Sequence, residues 1–176
     1  MDLDVLPIQP YGIHTAQTWG QIAAYFDMID RWGIQQFIEI GVDKGGLAAM
    51  MVGMCFVRPN FQYVGVELLE RRVDSYVADR DLPNAVIITG NCFEPKIFDT
   101  IATLIRNAHG TLLLCDGGNK AKEIYAFQAL MKSGDLITVH DWGVEFKETD
   151  IPWQLEQRYQ RITNYEDVGL PVWRKR

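Results

Sequence analysis

Five predicted strands of this chain are followed by residues that could bind a ligand or move a proton. Carboxylates and imidazoles coordinate divalent cations and exchange protons, and glycine lets a ligand approach the backbone closely. In chain order these positions are Glu39 with Gly41, Glu67, Gly90 with Asn91, Asp116, and His140 with Asp141. Strands that lie side by side would bring all of these groups into one site.

The segments between these positions indicate how they are brought together. Short continuous apolar runs such as AVIIT and TLLLC alternate with stretches of helical apolar spacing, for example Ile22, Ala23, Phe26 and Ile29. This alternation predicts an α/β fold, with a Rossmann-like, doubly wound, mostly parallel sheet of seven strands and helices on both faces. Ligands of such sheets bind at the carboxyl ends of the strands, where the polar positions fall.

We predict one domain over 1–176, with an N-terminal flap and helix over 1–34 and the Rossmann-like core over 35–176. The predicted helices cover 21–33, 45–57, 68–80, 95–108, 120–132 and 151–160. The predicted strands cover 35–41, 61–67, 85–90, 111–116 and 135–141, with weaker candidates at 161–168 and 171–176. The last of these, within LPVWRKR, is a candidate exposed edge and therefore a possible contact in a homo-oligomer.

Composition argues against several partner classes. The chain has 176 residues, 48% of them hydrophobic, which fits a globular domain with a sizeable core. Its net charge of -6 argues against nucleic acid as a partner, since phosphate binding needs a basic field. The longest apolar stretch is too short to span a membrane. Three cysteines without a C-x-x-C pair suggest reduced thiols, and so a cytoplasmic location.

The turn after the first strand has the spacing E-x-G-x-x-x-G, formed by Glu39, Gly41 and Gly45. It is not the dinucleotide motif G-x-G-x-x-G, because Asp43 stands where the second glycine is needed. It also lacks the G-K-[ST] of a P-loop, so phosphate binding is disfavoured. Glu67 ends the next strand, where an acid can accept both hydroxyls of a ribose.

Together these spacings resemble the S-adenosylmethionine site of the class I methyltransferases. The resemblance implies that Glu39 lies near the methionine end of the cofactor and that Gly41 and Gly45 pass beneath it. It implies that Glu67 holds the ribose and that Asn91 lies beside the adenine.

The other half of the predicted site comprises Asp116, His140 and Asp141. If their strands are neighbours, these side chains can bind a divalent cation with open water positions, which would lower the pKa of a bound hydroxyl. The alternative is structural: a lone Asp at a strand end often caps the next helix, and His140 could pack against Trp142.

A closer resemblance covers most of the chain. The stretches GIHTAQTWGQIAAYFDMI and FIEIGVDKGG are similar to the cephalosporin hydroxylase-like and macrocin O-methyltransferase-like families. In those families, and in the catechol O-methyltransferase-like group, the acids that end strands four and five hold magnesium. The resemblance therefore implies Mg²⁺ or another divalent cation at Asp116 and Asp141, with His140 as a further ligand, and places Asp116 beside the cofactor.

One departure concerns the general base. Asn119 stands where many relatives have His or Lys, and an amide cannot act as a base. The base has moved to Lys120 or His140, catalysis is weak, or the substrate is already ionised. An N-terminal flap could line or cover the substrate pocket with Tyr11, His14, Gln17 and Trp19.

We therefore predict an S-adenosylmethionine-dependent methyltransferase that carries out metal-assisted O-methylation of a small-molecule or sugar hydroxyl. The candidate catalytic residues are Asp116, Lys120 and His140. Two alternatives stay open: a nicotinamide-dependent oxidoreductase on the same architecture, and a non-catalytic module that binds S-adenosylmethionine.

Overall fold

The computed structural model describes residues 9–69, 74 and 82–176. Its strands are β1 (Gln36–Ile40), β2 (Gln62–Glu67), β3 (Ala85–Thr89), β4 (Thr111–Cys115), β5 (Leu136–Val139), β6 (Tyr159–Ile162) and β7 (Val172–Lys175). They form one seven-stranded sheet in the order β3-β2-β1-β4-β5-β7-β6. Only the pairs that involve β7 are antiparallel, so the predicted mostly parallel sheet is confirmed.

Five α-helices lie within the described residues, the first before β1 and the others between strands. They are α1 (Trp19–Arg31), α2 (Gly46–Val57), α3 (Pro95–Asn107), α4 (Lys120–Phe127) and α5 (Trp153–Arg158). The helix predicted over 68–80 lies mostly outside the described residues. None of the helices in the described part of the chain is long and apolar enough to cross a membrane.

Local sequence explains where several helices begin. Thr18 and Gln21 form a capping box at the start of α1, in which each side chain bonds to the backbone amide of the other. Pro95 occupies the first turn of α3, where its missing N–H costs nothing. The Asn119 side chain accepts a hydrogen bond of 3.0 Å from the Lys122 amide and so caps α4.

The central strands β1, β4 and β5 are buried along their whole length, which explains why they are largely apolar runs. Phe37 of β1 packs in one layer with residues of α1 and α2, such as Tyr25 and Met51. Ile38, the next residue, packs in the opposite layer with residues of α3 and α4, such as Phe127. Alternate residues of β1 thus enter two different cores, as the pleat requires.

Helix α4 is shorter than predicted, because it ends at Phe127 rather than at 132. The next carbonyl, of Gln128, accepts a hydrogen bond of 2.6 Å from the Tyr159 hydroxyl, and the Lys132 amide donates to Asp135 at 2.6 Å. One tertiary contact, from Tyr159, and one local contact, to Asp135, thus replace the helical bonds that the apolar spacing of the segment alone would favour.

The prediction of an exposed edge at the C-terminal strand is wrong. β7 lies between β5 and β6 and pairs with both, so β6 and β3 are the edges of the sheet. The weak strand candidate at 161–168 is also displaced, since β6 begins at Tyr159 and Glu166–Val168 forms a 3-10 turn. Two charged residues of β7 cover aromatic rings: Arg174 lies over Trp32 and Lys175 over Tyr159.

Candidate active site

A cavity of about 690 Å³ lies where β1, β2, β4 and β5 end. The strand order reverses between β1 and β4, which is the point where doubly wound sheets bind ligands. Six of the predicted site residues line it, namely Gly41, Glu67, Asn91, Asp116, His140 and Asp141. Glu39, Gly45 and Lys120 do not line this cavity.

The glycine turn is shaped by close backbone contacts. Gly41 has a φ of +92°, and a side chain there would collide with the backbone carbonyl of Asp116. Gly45 has a φ of +91° and forms the N-cap of α2. The turn after β1 therefore passes directly against Asp116, the residue that follows β4, which only glycine allows.

Glu67, the last residue of β2, is buried and is hydrogen-bonded to the turn that follows β1. Its Oε2 accepts hydrogen bonds from the amides of Val42, at 3.1 Å, and Asp43, at 2.9 Å, and its Oε1 accepts one from Leu69 at 3.2 Å. The carboxylate also lines the cavity. Its prediction as a ribose ligand is compatible with this position.

Glu39 faces the protein interior. Its Oε2 accepts a hydrogen bond of 2.5 Å from the Tyr63 hydroxyl, and it borders a small crevice together with Gln17 and Asp116. Burial raises the pKa of Glu39 well above its ordinary value, more than the bond from Tyr63 lowers it. Its role beside the cofactor stays a prediction.

Asn91 lies at the end of the cavity formed by the loop after β3. It is exposed, and its Oδ1 accepts a hydrogen bond of 3.0 Å from the Phe93 amide. This bond forms a local turn that holds Cys92 and Phe93 against the cavity.

Asp116, His140 and Asp141 meet at the opposite end. His140 Nδ1 lies 3.2 Å from Asp116 Oδ1 and 3.3 Å from Asp141 Oδ1. Burial lowers the pKa of His140, but the hydrogen bond to Asp116 and the negative charges of both aspartates outweigh it, so the pKa is raised. The predicted convergence of strands four and five is therefore present.

Lys120 points into this cluster although it does not line the cavity. Its Nζ lies 2.7 Å from Glu145 Oε2 and 3.6 Å from both Asp116 Oδ1 and Asp141 Oδ2. Burial lowers the pKa of Lys120, but the bond to Glu145 and the surrounding carboxylates raise it overall. A raised pKa keeps the side chain an ammonium at neutral pH, which argues against Lys120 as the general base.

Sequence reasoning missed three contacts of the cluster. Gln17 Nε2 donates to Asp116 Oδ2 at 3.0 Å, and Glu145 bonds to Lys120. Glu123, a buried residue of α4, accepts hydrogen bonds from the amides of Gly117 and Asn119 at 3.2 Å each. The sequence predicts Gln17 as part of the N-terminal flap, but not as a partner of Asp116. Glu123 has a usable signal, because it is an acid in the first turn of a predicted helix, where free amides attract it.

The N-terminal segment packs against the glycine turn. A side chain at Gly46 would lie 2.5 Å from the His14 carbonyl oxygen, so the two backbones touch. Ala16 lines the cavity, His14 borders the small crevice, and Trp19 is 41% exposed at the start of α1. The idea that this segment covers a bound substrate stays a prediction.

Comparison with known proteins gives a result at the level of fold. No protein-family model matches the chain, and no curated protein matches its sequence. Solved structures of CmcI do match: an apo structure aligns over 99% of this chain and 78% of that one, with 18% identity and a TM-score of 0.72. The fold is that of the class I methyltransferases.

Two further solved structures are similar to this chain. CmcI with Mg and SAM aligns over 100% of this chain and 79% of that one, at 18% identity and a TM-score of 0.72. A candidate caffeoyl-CoA O-methyltransferase from Staphylococcus aureus aligns over 93% of this chain and 86% of that one, at 14% identity and a TM-score of 0.66. These identities relate the proteins by fold alone.

The end of the cavity that contains Asp116, His140 and Asp141 has a set of donor atoms that fits a divalent cation. Asp116, His140 and Asp141 each offer one ligand atom, and these atoms lie within 4.8 Å of one another. Two carboxylates and an imidazole form a donor set that suits a hard or borderline divalent ion with open positions for further oxygen ligands.

Proposed function

We propose that this chain is an S-adenosylmethionine-dependent methyltransferase that methylates a hydroxyl oxygen of a small molecule or a sugar, assisted by a divalent cation. The observation that supports this best is that one cavity joins the glycine turn and Glu67 to Asp116, His140 and Asp141. A cavity of about 690 Å³ is within the range of small-molecule sites.

In this proposal the cofactor lies over the ends of β1, β2 and β3. Gly41 and Gly45 keep the turn open to a close approach, and the carboxylate of Glu67, held in place by three amides, accepts the ribose hydroxyls. Asn91 and the neighbouring Cys92 and Phe93 flank the adenine. S-adenosylmethionine supplies a methyl group on a positively charged sulfur, and an oxygen nucleophile accepts it.

The acceptor hydroxyl belongs at the other end of the cavity. A divalent cation held by Asp116, His140 and Asp141 would lower the pKa of that hydroxyl. When the cation is bound, His140 is one of its ligands and is not free to act as a base, so the Asp116 carboxylate, through its second oxygen, is the group placed to take the proton. Without the cation, the His140 imidazole is also placed to take it. When no cation is bound, the Lys120 ammonium supplies a positive charge on the same side, which favours the ionised oxygen.

Calorimetry with S-adenosylhomocysteine tests the cofactor half, and transfer of a labelled methyl group to a panel of catechols, phenols and sugars tests the activity. Absence of S-adenosylhomocysteine binding at millimolar concentration would exclude the proposal. Enhanced NADH fluorescence in the same protein would instead support the nicotinamide-dependent alternative.

The metal is tested with the double variant Asp116→Asn, Asp141→Asn. We expect a chelator to lower the transfer rate of the wild-type protein and to leave the residual rate of the double variant unchanged. If the chelator leaves the transfer rates of both proteins unchanged, the reaction does not use a divalent cation.

A second candidate, a non-catalytic module that binds S-adenosylmethionine, is favoured by one observation. Asn119 caps α4 through its side chain and provides no base at the position where the family resemblance implies one. Binding of S-adenosylhomocysteine without methyl transfer to any acceptor of the panel would support this candidate.

A further inference from the structure

The centre formed by Asp116 and Asp141 already contains a positive charge from the protein itself. The Lys120 side chain is 4% exposed, and its Nζ lies 3.6 Å from one oxygen of each aspartate. It also donates to the Gly117 carbonyl oxygen at 3.3 Å. The ammonium is therefore confined beside the two carboxylates rather than extended into solvent.

The Lys120 ammonium and a divalent cation would compete for the carboxylates of Asp116 and Asp141. Asp116 Oδ1, the oxygen near Lys120, is also the one that contacts His140 Nδ1. At distances of a few ångströms and low local dielectric, repulsion between an ammonium and a divalent ion is large compared with thermal energy. Binding of the ion therefore requires Lys120 to move or its charge to be offset.

Glu145 is placed to offset that charge. Its carboxylate is 61% exposed and makes the shortest contact of the Lys120 ammonium, at 2.7 Å. It belongs to the same turn as Asp141, since the amides of Val144 and Glu145 both donate to the Asp141 carbonyl oxygen. The loop that contains Asp141 and Glu145 therefore contributes two carboxylates. Asp141 lies beside the ammonium in the cation site, and Glu145 attracts the ammonium toward solvent.

We infer that Lys120 is a built-in competitor of the divalent cation at Asp116 and Asp141, and that Glu145 controls this competition by drawing the ammonium away. The inference rests on the proposed function, because it concerns the cation of that same site. Lys120 is therefore a residue that sets cation affinity, and the ammonium maintains a positive charge beside the acceptor position whenever the divalent ion is absent.

Binding of Mn²⁺, measured from the electron paramagnetic resonance signal of the free ion, tests this without any assay of activity. We expect Lys120→Met to bind Mn²⁺ at least about tenfold more tightly than the wild-type protein, because a competing charge is lost. Lys120→Arg, which keeps the charge, should bind no more tightly than wild type. The matched control Lys96→Met removes one positive charge from the exposed face of α3 and should leave affinity within about twofold.

The role of Glu145 needs a double-mutant cycle, because removal of a nearby carboxylate weakens cation binding directly as well. Glu145→Gln should weaken Mn²⁺ binding several-fold in the wild-type background and much less in the Lys120→Met background. Glu156→Gln, on exposed α5, controls for the loss of one negative charge. Equal effects of Glu145→Gln in both backgrounds would show that it does not act through Lys120.

Two outcomes overturn the inference: Mn²⁺ affinity of Lys120→Met equal to or below that of wild type, or no Mn²⁺ binding by either protein at millimolar concentration. Circular dichroism of each variant shows whether it is folded. If Lys120→Met does not fold, Lys120→Gln is used, with the same expected direction. Binding of S-adenosylhomocysteine by the same samples distinguishes failure of the proposed function from failure of the inference. If S-adenosylhomocysteine does not bind, the proposed function is refuted. If it binds but the Mn²⁺ affinity of Lys120→Met is unchanged, only the inference is refuted.

Discussion

The two ends of the cavity are held in place by different kinds of interaction. The end formed by β1 and β2 depends on backbone geometry, with Gly41 in a left-handed conformation and Glu67 bound by main-chain amides. The end formed by β4 and β5 depends on side-chain charges, with Lys120 and His140 between two aspartates. The first end should respond to changes of backbone shape and to loss of the single carboxylate that the backbone amides bind, and the second end to changes in any of its several charges.

This difference suits the two tasks in the proposed function. A cofactor that is the same in every turnover is served by a rigid backbone cradle, which costs little reorganisation when the ligand binds. A hydroxyl that must lose a proton needs groups whose charge and protonation respond to it. The predictions that follow test whether the two ends differ as described, starting with the largest expected effect.

Gly41→Ala should produce the largest loss, because a Cβ there meets the Asp116 backbone and alanine disfavours a φ of +92°. We expect a destabilisation of about 3–5 kcal/mol in urea unfolding. Gly33→Ala is the matched control: its φ is +63° and a Cβ there has no neighbour within 4 Å, so only the backbone cost of about 1–2 kcal/mol should appear. Equal losses in both variants would contradict the importance of the close approach.

Glu67→Gln should weaken S-adenosylhomocysteine binding about tenfold to a hundredfold, because a charged acceptor of hydrogen bonds becomes a neutral amide. Calorimetry measures this. Glu94→Gln, an exposed residue whose side chain makes no capping bond at α3, should bind like wild type. An unchanged affinity for Glu67→Gln would mean that the ribose lies elsewhere.

Glu39 provides a test with pH. Its pKa is raised in the folded protein, so the folded state keeps a proton that the unfolded state loses as the pH rises above about 4.5. Its contribution to stability is therefore present below the unfolded pKa and is lost with rising pH. Glu39→Gln removes this dependence, so its melting temperature should exceed that of wild type at pH 8, and the difference should shrink toward pH 4.5.

The control for this pH effect is Tyr63→Phe, which removes the hydrogen-bond donor of Glu39 and leaves its burial in place. It should lower the melting temperature without abolishing the dependence on pH. Parallel curves of melting temperature against pH for Glu39→Gln and wild type would show that Glu39 is ionised in the folded protein.

Gln17→Ala should have the smallest effect. It removes the hydrogen bond that Gln17 donates to Asp116 and the one that Gln17 accepts from the Thr15 hydroxyl, which predicts a destabilisation of about 1–2 kcal/mol. Gln160→Ala on β6 replaces an exposed glutamine and should change the free energy of unfolding by less than about 0.5 kcal/mol. A loss of unfolding free energy no larger than that of Gln160→Ala would show that the contact of Gln17 with Asp116 does not stabilise the protein.

Much of the fold could be predicted because local signals and tertiary structure agree. The apolar runs of β1 and β4 and the caps at Thr18 and Pro95 are properties of short segments. Predictions failed where distant residues replaced local bonds: the Tyr159 hydroxyl accounts for the early end of α4, and β7 is enclosed by β6 rather than exposed.

The sequence by itself determined which groups stand at the strand ends, since an acid or a glycine after an apolar run is visible in the letters. Only the tertiary structure decided their partners. Glu145 and Gln17 come from two parts of the chain distant from Asp116 and Lys120, and no spacing rule relates them to those residues. The physical reason is that hydrogen bonds and ion pairs depend on distances of a few ångströms, which are established only when the sheet brings the ends of its strands together.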